Sequence, residues 1–143
     1  MKQAVLATIG IIGSVTAKLL GGWDMALQVL LLFMVVDYVT GLVVAGVFKK
    51  SPKTASGALE SKAGWKGLCR KGMTLLMVLV AAQLELLTGT DVIRNAVIIG
   101  YIANEGISII ENAGLMGLPV PKLIKNAIDI LKSKSEGESN EPG

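Results

Sequence analysis

Four apolar runs, each near the length a helix needs to cross a bilayer, constrain this chain more than any other feature. They cover residues 4–20, 25–48, 68–88 and 92–113. The hydrocarbon core is about 30 Å thick, and a helix rising about 1.5 Å per residue spans it in about 20 residues. The second run, Met25 to Phe48, is interrupted only by Gln28, Asp37, Tyr38, Thr40 and glycines. "GGWD" (21–24) joins the first two runs and "TGTD" (88–91) the last two. Links this short and glycine-rich leave their runs only one arrangement, as antiparallel neighbours. A soluble helix of such length carries a charged outer face, and the second and third runs have none. Composition agrees: 17% of residues are charged, against about 25% in soluble domains. The expected fold is an all-α membrane protein, with about four transmembrane helices as antiparallel hairpins over residues 1–121.

Basic residues orient the hairpins. The middle link carries Lys49, Lys50, Lys53, Lys62, Lys66, Arg70 and Lys71 against one acid, Glu60, and the tail carries Lys122, Lys125, Lys132 and Lys134. The tight links hold Asp24 and Asp91 and no lysine. The positive-inside rule places every basic segment in the cytoplasm, and four spans with both termini inside satisfy them all. Lys2 before an apolar stretch, with "VTA" (15–17), has the outline of a signal peptide. A single lysine in front and Lys18 directly after the cut argue against cleavage.

Polar groups inside the runs are the candidate functional residues. A carboxylate at mid-bilayer costs about 2.5–3.5 kcal/mol on insertion scales. Asp37 lies halfway along the second run, and Glu105 halfway along the fourth beside Asn104. No lysine or arginine is expected at that depth, so both acids are expected to be protonated or to face water. Glu85, Lys18 and Arg94 fall near the outer ends, where they either pair with one another or snorkel. Asn104, Ser108 and Glu111 share one helical face, with Glu105 and Asn112 beside it. This stripe is either a seam joining helices within one bundle or the wall of a pore or subunit interface. Asp37 has the same two readings.

Gly10, Gly13, Ala17 and Gly21 are expected at close helix contacts, as is Gly41 one turn after Asp37. The loop 49–67 is basic and flexible. Trp65, with Lys62, Lys66, Arg70 and Lys71, suits an interface with anionic headgroups. "GLPVP" (117–121) ends the fourth run. Residues 122–132 read as an amphipathic helix on the inner membrane surface, and 133–143 as a disordered polar tail.

The chain has no histidine and one cysteine, Cys69. That excludes an internal disulfide, a Cys/His zinc site and a Ser-His triad. No metal or cofactor is expected, no catalytic set assembles, and the juxtamembrane basic residues favour lipid over nucleic acid.

"GGWD", "DYVTG" (37–41), "SKAGWKGLCRK" (61–71) and "NEGISIIENAGLMGLPVP" (104–121) together resemble the phage holin family that also contains clostridial toxin-secretion holins. The resemblance covers roughly residues 20–125, with four motifs in the family's order. It implies a protein of the host bacterial cytoplasmic membrane that homo-oligomerises and opens timed lesions. These collapse the proton-motive force and release an endolysin, or a toxin, without required direct contact. Acids lacking cationic partners at mid-depth would make such a state sensitive to protonation and potential. The alternatives are a small multidrug-type proton-coupled transporter and a membrane scaffold. Such transporters carry their essential acid in the first span, where this chain has none.

Overall fold

A computed structural model describes residues 1–140, with side chains through position 137. Among the described residues five α-helices form in chain order: α1 (Lys2–Leu19), α2 (Met25–Val43), α3 (Ser61–Thr88), α4 (Ile93–Leu115) and α5 (Lys122–Asn140). No strand occurs among the described residues. The all-helical expectation holds. Among the described residues two segments are long and apolar enough to cross a membrane, Met25–Phe48 and Ser61–Thr88.

Asp24 starts α2 as its N-cap: its Oδ1 accepts the Leu27 N–H at 3.0 Å, satisfying an orphan donor of the first turn. Beyond Val43 the helix widens into a π-turn over Val44–Phe48 and ends at Lys49, whose φ of 53° is left-handed. Helix α3 starts at Ser61, inside the segment 49–67 expected to be a loop. Only 49–60 is irregular. Its first two turns, SKAGWKG, are not apolar, so the hydropathy run locates the buried part of the helix and not its start.

Helix α4 lies along α2 over most of its length. Arg94 at one end meets Asp24, and Asn112 at the other meets Thr40. Leu27, Leu30 and Met34 of α2, Val78 of α3, and Ile98 and Ile102 of α4 form the core, closed by Leu20. In lipid this apolar packing has little hydrophobic drive, because acyl chains are as apolar as leucine. Close fit and polar contacts therefore hold the helices together.

Helix α5 departs most from expectation. It does not stop at residue 132 but runs to Asn140, and residues 141–143 lie outside the described residues. It folds back along α4: Ile128 is buried beside Gly106, and Ser135 Oγ donates to the Ala96 carbonyl at 3.1 Å. These contacts hold as helix a stretch that its polar sequence alone would leave unfolded.

Among the described residues, helix α1 touches the bundle only at its C-terminal end. Residues 1–16 are all exposed, Gln83 Nε2 donates to the Leu19 carbonyl at 3.2 Å, and Leu20 is buried. Of the four small residues expected to pack, Ala17 is half-buried and Gly21 sits against Arg94 and Ala82. A Cβ added at Gly10 or Gly13 would meet nothing within 4 Å outside its own helix among the described residues.

Candidate functional site

One charged cluster joins three helices halfway along the bundle. Asp37 of α2 and Glu105 of α4 are buried, with relative exposures of 6% and 7%. Lys71 of α3 reaches between them: its Nζ lies 2.8 Å from Asp37 Oδ2 and 2.7 Å from Glu105 Oε2. Ser108 Oγ donates to Asp37 Oδ1 at 2.6 Å, and Asn112 Nδ2 donates to the same oxygen at 3.1 Å. Asn112 Nδ2 also reaches the Asp37 carbonyl at 3.2 Å and Thr40 Oγ1 at 2.8 Å.

This overturns the expectation that no cation lies at the depth of Asp37 and Glu105, and the placing of Lys71 on the membrane surface. Two causes combine. Helix α3 begins at Ser61, so Lys71 is nearly three turns in. The residues Gly64, Gly67, Lys71, Thr74, Val78 and Ala81 also recur at three- and four-residue steps, one helical stripe. That stripe, visible in the sequence, puts Lys71 on the packed face, level with Asp37.

Glycines in α3 bring the helices close enough for the bridge. Tyr38 packs against Gly64 and Gly67, and its hydroxyl donates to the Gly64 carbonyl at 3.3 Å. A cavity of about 370 Å³ opens above the cluster. Asp37, Lys71 and Glu105 line it together with Arg70 and Glu111, and the irregular segment contributes Pro52, Thr54 and Glu60. Two carboxylates share one ammonium, so the cluster carries one formal negative charge when all three are ionised. That excess is tolerable where water enters from the cavity, and costly in a dry interior.

The other predicted residues divide. Ser108 and Asn112 join the cluster, and Gly41 lies beside Asn112. Asn104 and Glu111 are exposed and line the cavity. Lys62, Lys66 and Arg70 are exposed on the first turns of α3, as is Trp65.

A second cluster pins the end of the bundle where α2 and α4 begin. Arg94 is buried, with a relative exposure of 4%. Its Nη1 lies 2.6 Å from Asp24 Oδ2, and Nη2 donates to Asp24 Oδ1 at 3.2 Å and to the Gly22 carbonyl at 3.0 Å. Its Nε donates to the Leu20 carbonyl. The Arg94 backbone N–H donates to Glu85 Oε1 at 2.6 Å. Arg94 therefore does not snorkel, its ionic partner is Asp24, and Lys18 stays exposed outside the cluster. The guanidinium holds the Asp24 carboxyl below its ordinary range, chiefly through the side-chain hydrogen bond and against a partial desolvation. Among the described residues, no group of three or more potential ligands gathers as a metal site.

The bacteriophage holin family matches residues 14–133. An uncharacterized protein of Listeria innocua is 41% identical, over 94% of this chain and 92% of its own length. An uncharacterized 14.9 kDa protein of Clostridium perfringens is 38% identical, over 86% and 89%. A probable holin of Bacillus phage phi105 is 31% identical, over 77% and 76%. No solved structure matches. A match over most of the chain, with a relative named a probable holin, makes this protein a member of the bacteriophage holin family.

Proposed function

We propose that copies of this chain assemble in the cytoplasmic membrane of a bacterial host and open a lesion. The lesion depolarises the cell and lets an endolysin, or a co-produced toxin, reach the outside. The observation that carries this reading is the cluster of Asp37, Lys71, Glu105, Ser108 and Asn112, polar and charged, beside the apolar core of the same bundle. A chain meant only to anchor has no need of such a seam. A chain that must pass from a lipid-compatible to a water-lining arrangement does.

Four crossings, by α1 to α4, fit this role. Helix α4 is coextensive with α2, from the Arg94–Asp24 contact to the Asn112–Thr40 contact, so it crosses wherever α2 crosses. The exposed cations Lys62, Lys66 and Arg70, with Trp65, suit the inner face and its anionic headgroups. While copies are few, each chain satisfies its own seam internally. In an assembly, neighbouring chains and water offer alternative partners, and opening is a shift between two packings of similar energy.

Inducible expression in a bacterium tests the reading, with growth, dye entry and release of a large cytoplasmic enzyme followed together. Delayed, abrupt arrest with enzyme release is the expected result. Dye entry without enzyme release would mean small depolarising channels. Continued growth without leakage would overturn the proposal and favour the transporter or the scaffold.

A further inference from the structure

Helix α5 poses a problem of depth. If α2 crosses the bilayer, α4 crosses beside it, and α5 runs back along α4 from Ile128 at Gly106 to Ser135 at Ala96. Those α4 positions are ten residues apart, about 15 Å along the helix axis. Yet α5 carries Asp129 and Lys132 within that stretch and Lys125 one turn before it, all exposed and on one face. Charges at that depth are too costly to face acyl chains.

The packing argues that α5 belongs where it lies. A Cβ added at Gly106 would meet the Ile128 side chain at 2.8 Å, and one added at Gly100 would meet Ser135 Oγ at the same distance. Two glycines of α4 thus stand where α5 needs its backbone to be close. Ile124, Ile128, Leu131 and Ser135 form a stripe at three- and four-residue steps. Within it Ile128 is buried, Leu131 packs against the core and Ser135 donates to the Ala96 carbonyl. A surface-lying helix would turn such a stripe to the lipid instead.

We propose that α5 stays docked on α4 in the assembled lesion and lines its water-filled lumen. Lys125, Asp129 and Lys132 then face water, and Ser135 lies toward the mouth nearest Arg94. This inference rests on the lesion-forming role proposed above. It makes the polar α5 a surface that passing solute meets, beside the seam of Asp37, Lys71 and Glu105.

Full-length protein in dye-loaded vesicles tests this, with Cys69→Ser as the parent. Gly100→Cys with Ser135→Cys provides a lock, because a Cβ at Gly100 lies 3.8 Å from Ser135 Cβ, a separation suited to a disulfide. The expected result is that the lock forms on oxidation and leakage continues unchanged. In single-cysteine variants, Lys125→Cys and Lys132→Cys should react with a polar thiol reagent at least tenfold faster than Ile128→Cys. Failure of the lock to form in the membrane would overturn the docking. A lock that abolishes leakage, with recovery on reduction, would mean that α5 must leave α4, which overturns the lumen assignment alone. A parent that never leaks would remove the lesion reading and the lumen with it.

Discussion

Lys71 Nζ stands within 2.8 Å of both Asp37 and Glu105, so a single ammonium from α3 ties α2 to α4. Removing it leaves two buried carboxylates facing each other. Breaking a buried pair from one side costs about 3–5 kcal/mol, mostly the penalty of the stranded charge. Lys71→Met is expected to lose that much in detergent-solubilised unfolding. The triple variant with Asp37→Asn and Glu105→Gln should recover most of it. A triple variant no more stable than Lys71→Met would place the cost in packing instead of charge.

Asp37→Asn is a gentler change. The amide oxygen still accepts from Ser108 and Asn112, while Lys71 keeps Glu105. The closed bundle should weaken by about 1–3 kcal/mol, and lysis after induction should begin earlier. Unchanged timing and lesion formation would remove Asp37 from the trigger.

The Arg94 clamp predicts a pH dependence. Asp24 has a folded-state value below its ordinary 3.8. A lowered carboxylate contributes its stability fully above the ordinary value and loses it as pH falls through the folded value. The Tm difference between wild type and Asp24→Asn should therefore be constant at neutral and mildly acidic pH and shrink below about 4. Asp24 is about half exposed, so the difference is small, under about 1 kcal/mol. A difference that shrinks already near neutral pH would assign the titration to another group.

Gly106 admits no side chain while Ile128 keeps its place. Gly106→Val is expected to weaken the α4–α5 contact by about 1–3 kcal/mol, the usual cost of overpacking. Adding Ile128→Ala should restore part of it. Protease resistance of α5 in detergent reports both, and a double variant as labile as Gly106→Val would deny that these two residues meet.

Hydropathy made α2 and most of α3 legible, because long apolar runs admit few other structures. Candidate polar residues were legible too: Asp37, Glu105, Ser108 and Asn112 do converge. Their cation was hidden because Lys71 stands among the basic residues that lead into the third run. Only the stripe through Gly64, Gly67, Thr74 and Val78 marks it as inward-facing. The partner of Arg94 was hidden for a different reason. Asp24 and Arg94 are 70 residues apart, and nothing local relates them. The length of α5 was illegible because its polar second half is held by the tertiary contact of Ser135 with Ala96.

The anchoring of α1 has a mechanical consequence. Its 18 residues make a rod about 27 Å long, clamped only near Leu20 and followed by two glycines at φ 90° and 109°. It is a cantilever with its pivot at the fixed end. A rotation of about 10° at Gly21–Gly22 sweeps the far tip through about 5 Å, nearly a full helical turn. The orientation of α1 is therefore set by whatever lies alongside it, lipid or a neighbouring chain. A change in that company reaches the Arg94 clamp directly, as torque on the one joint the rod possesses.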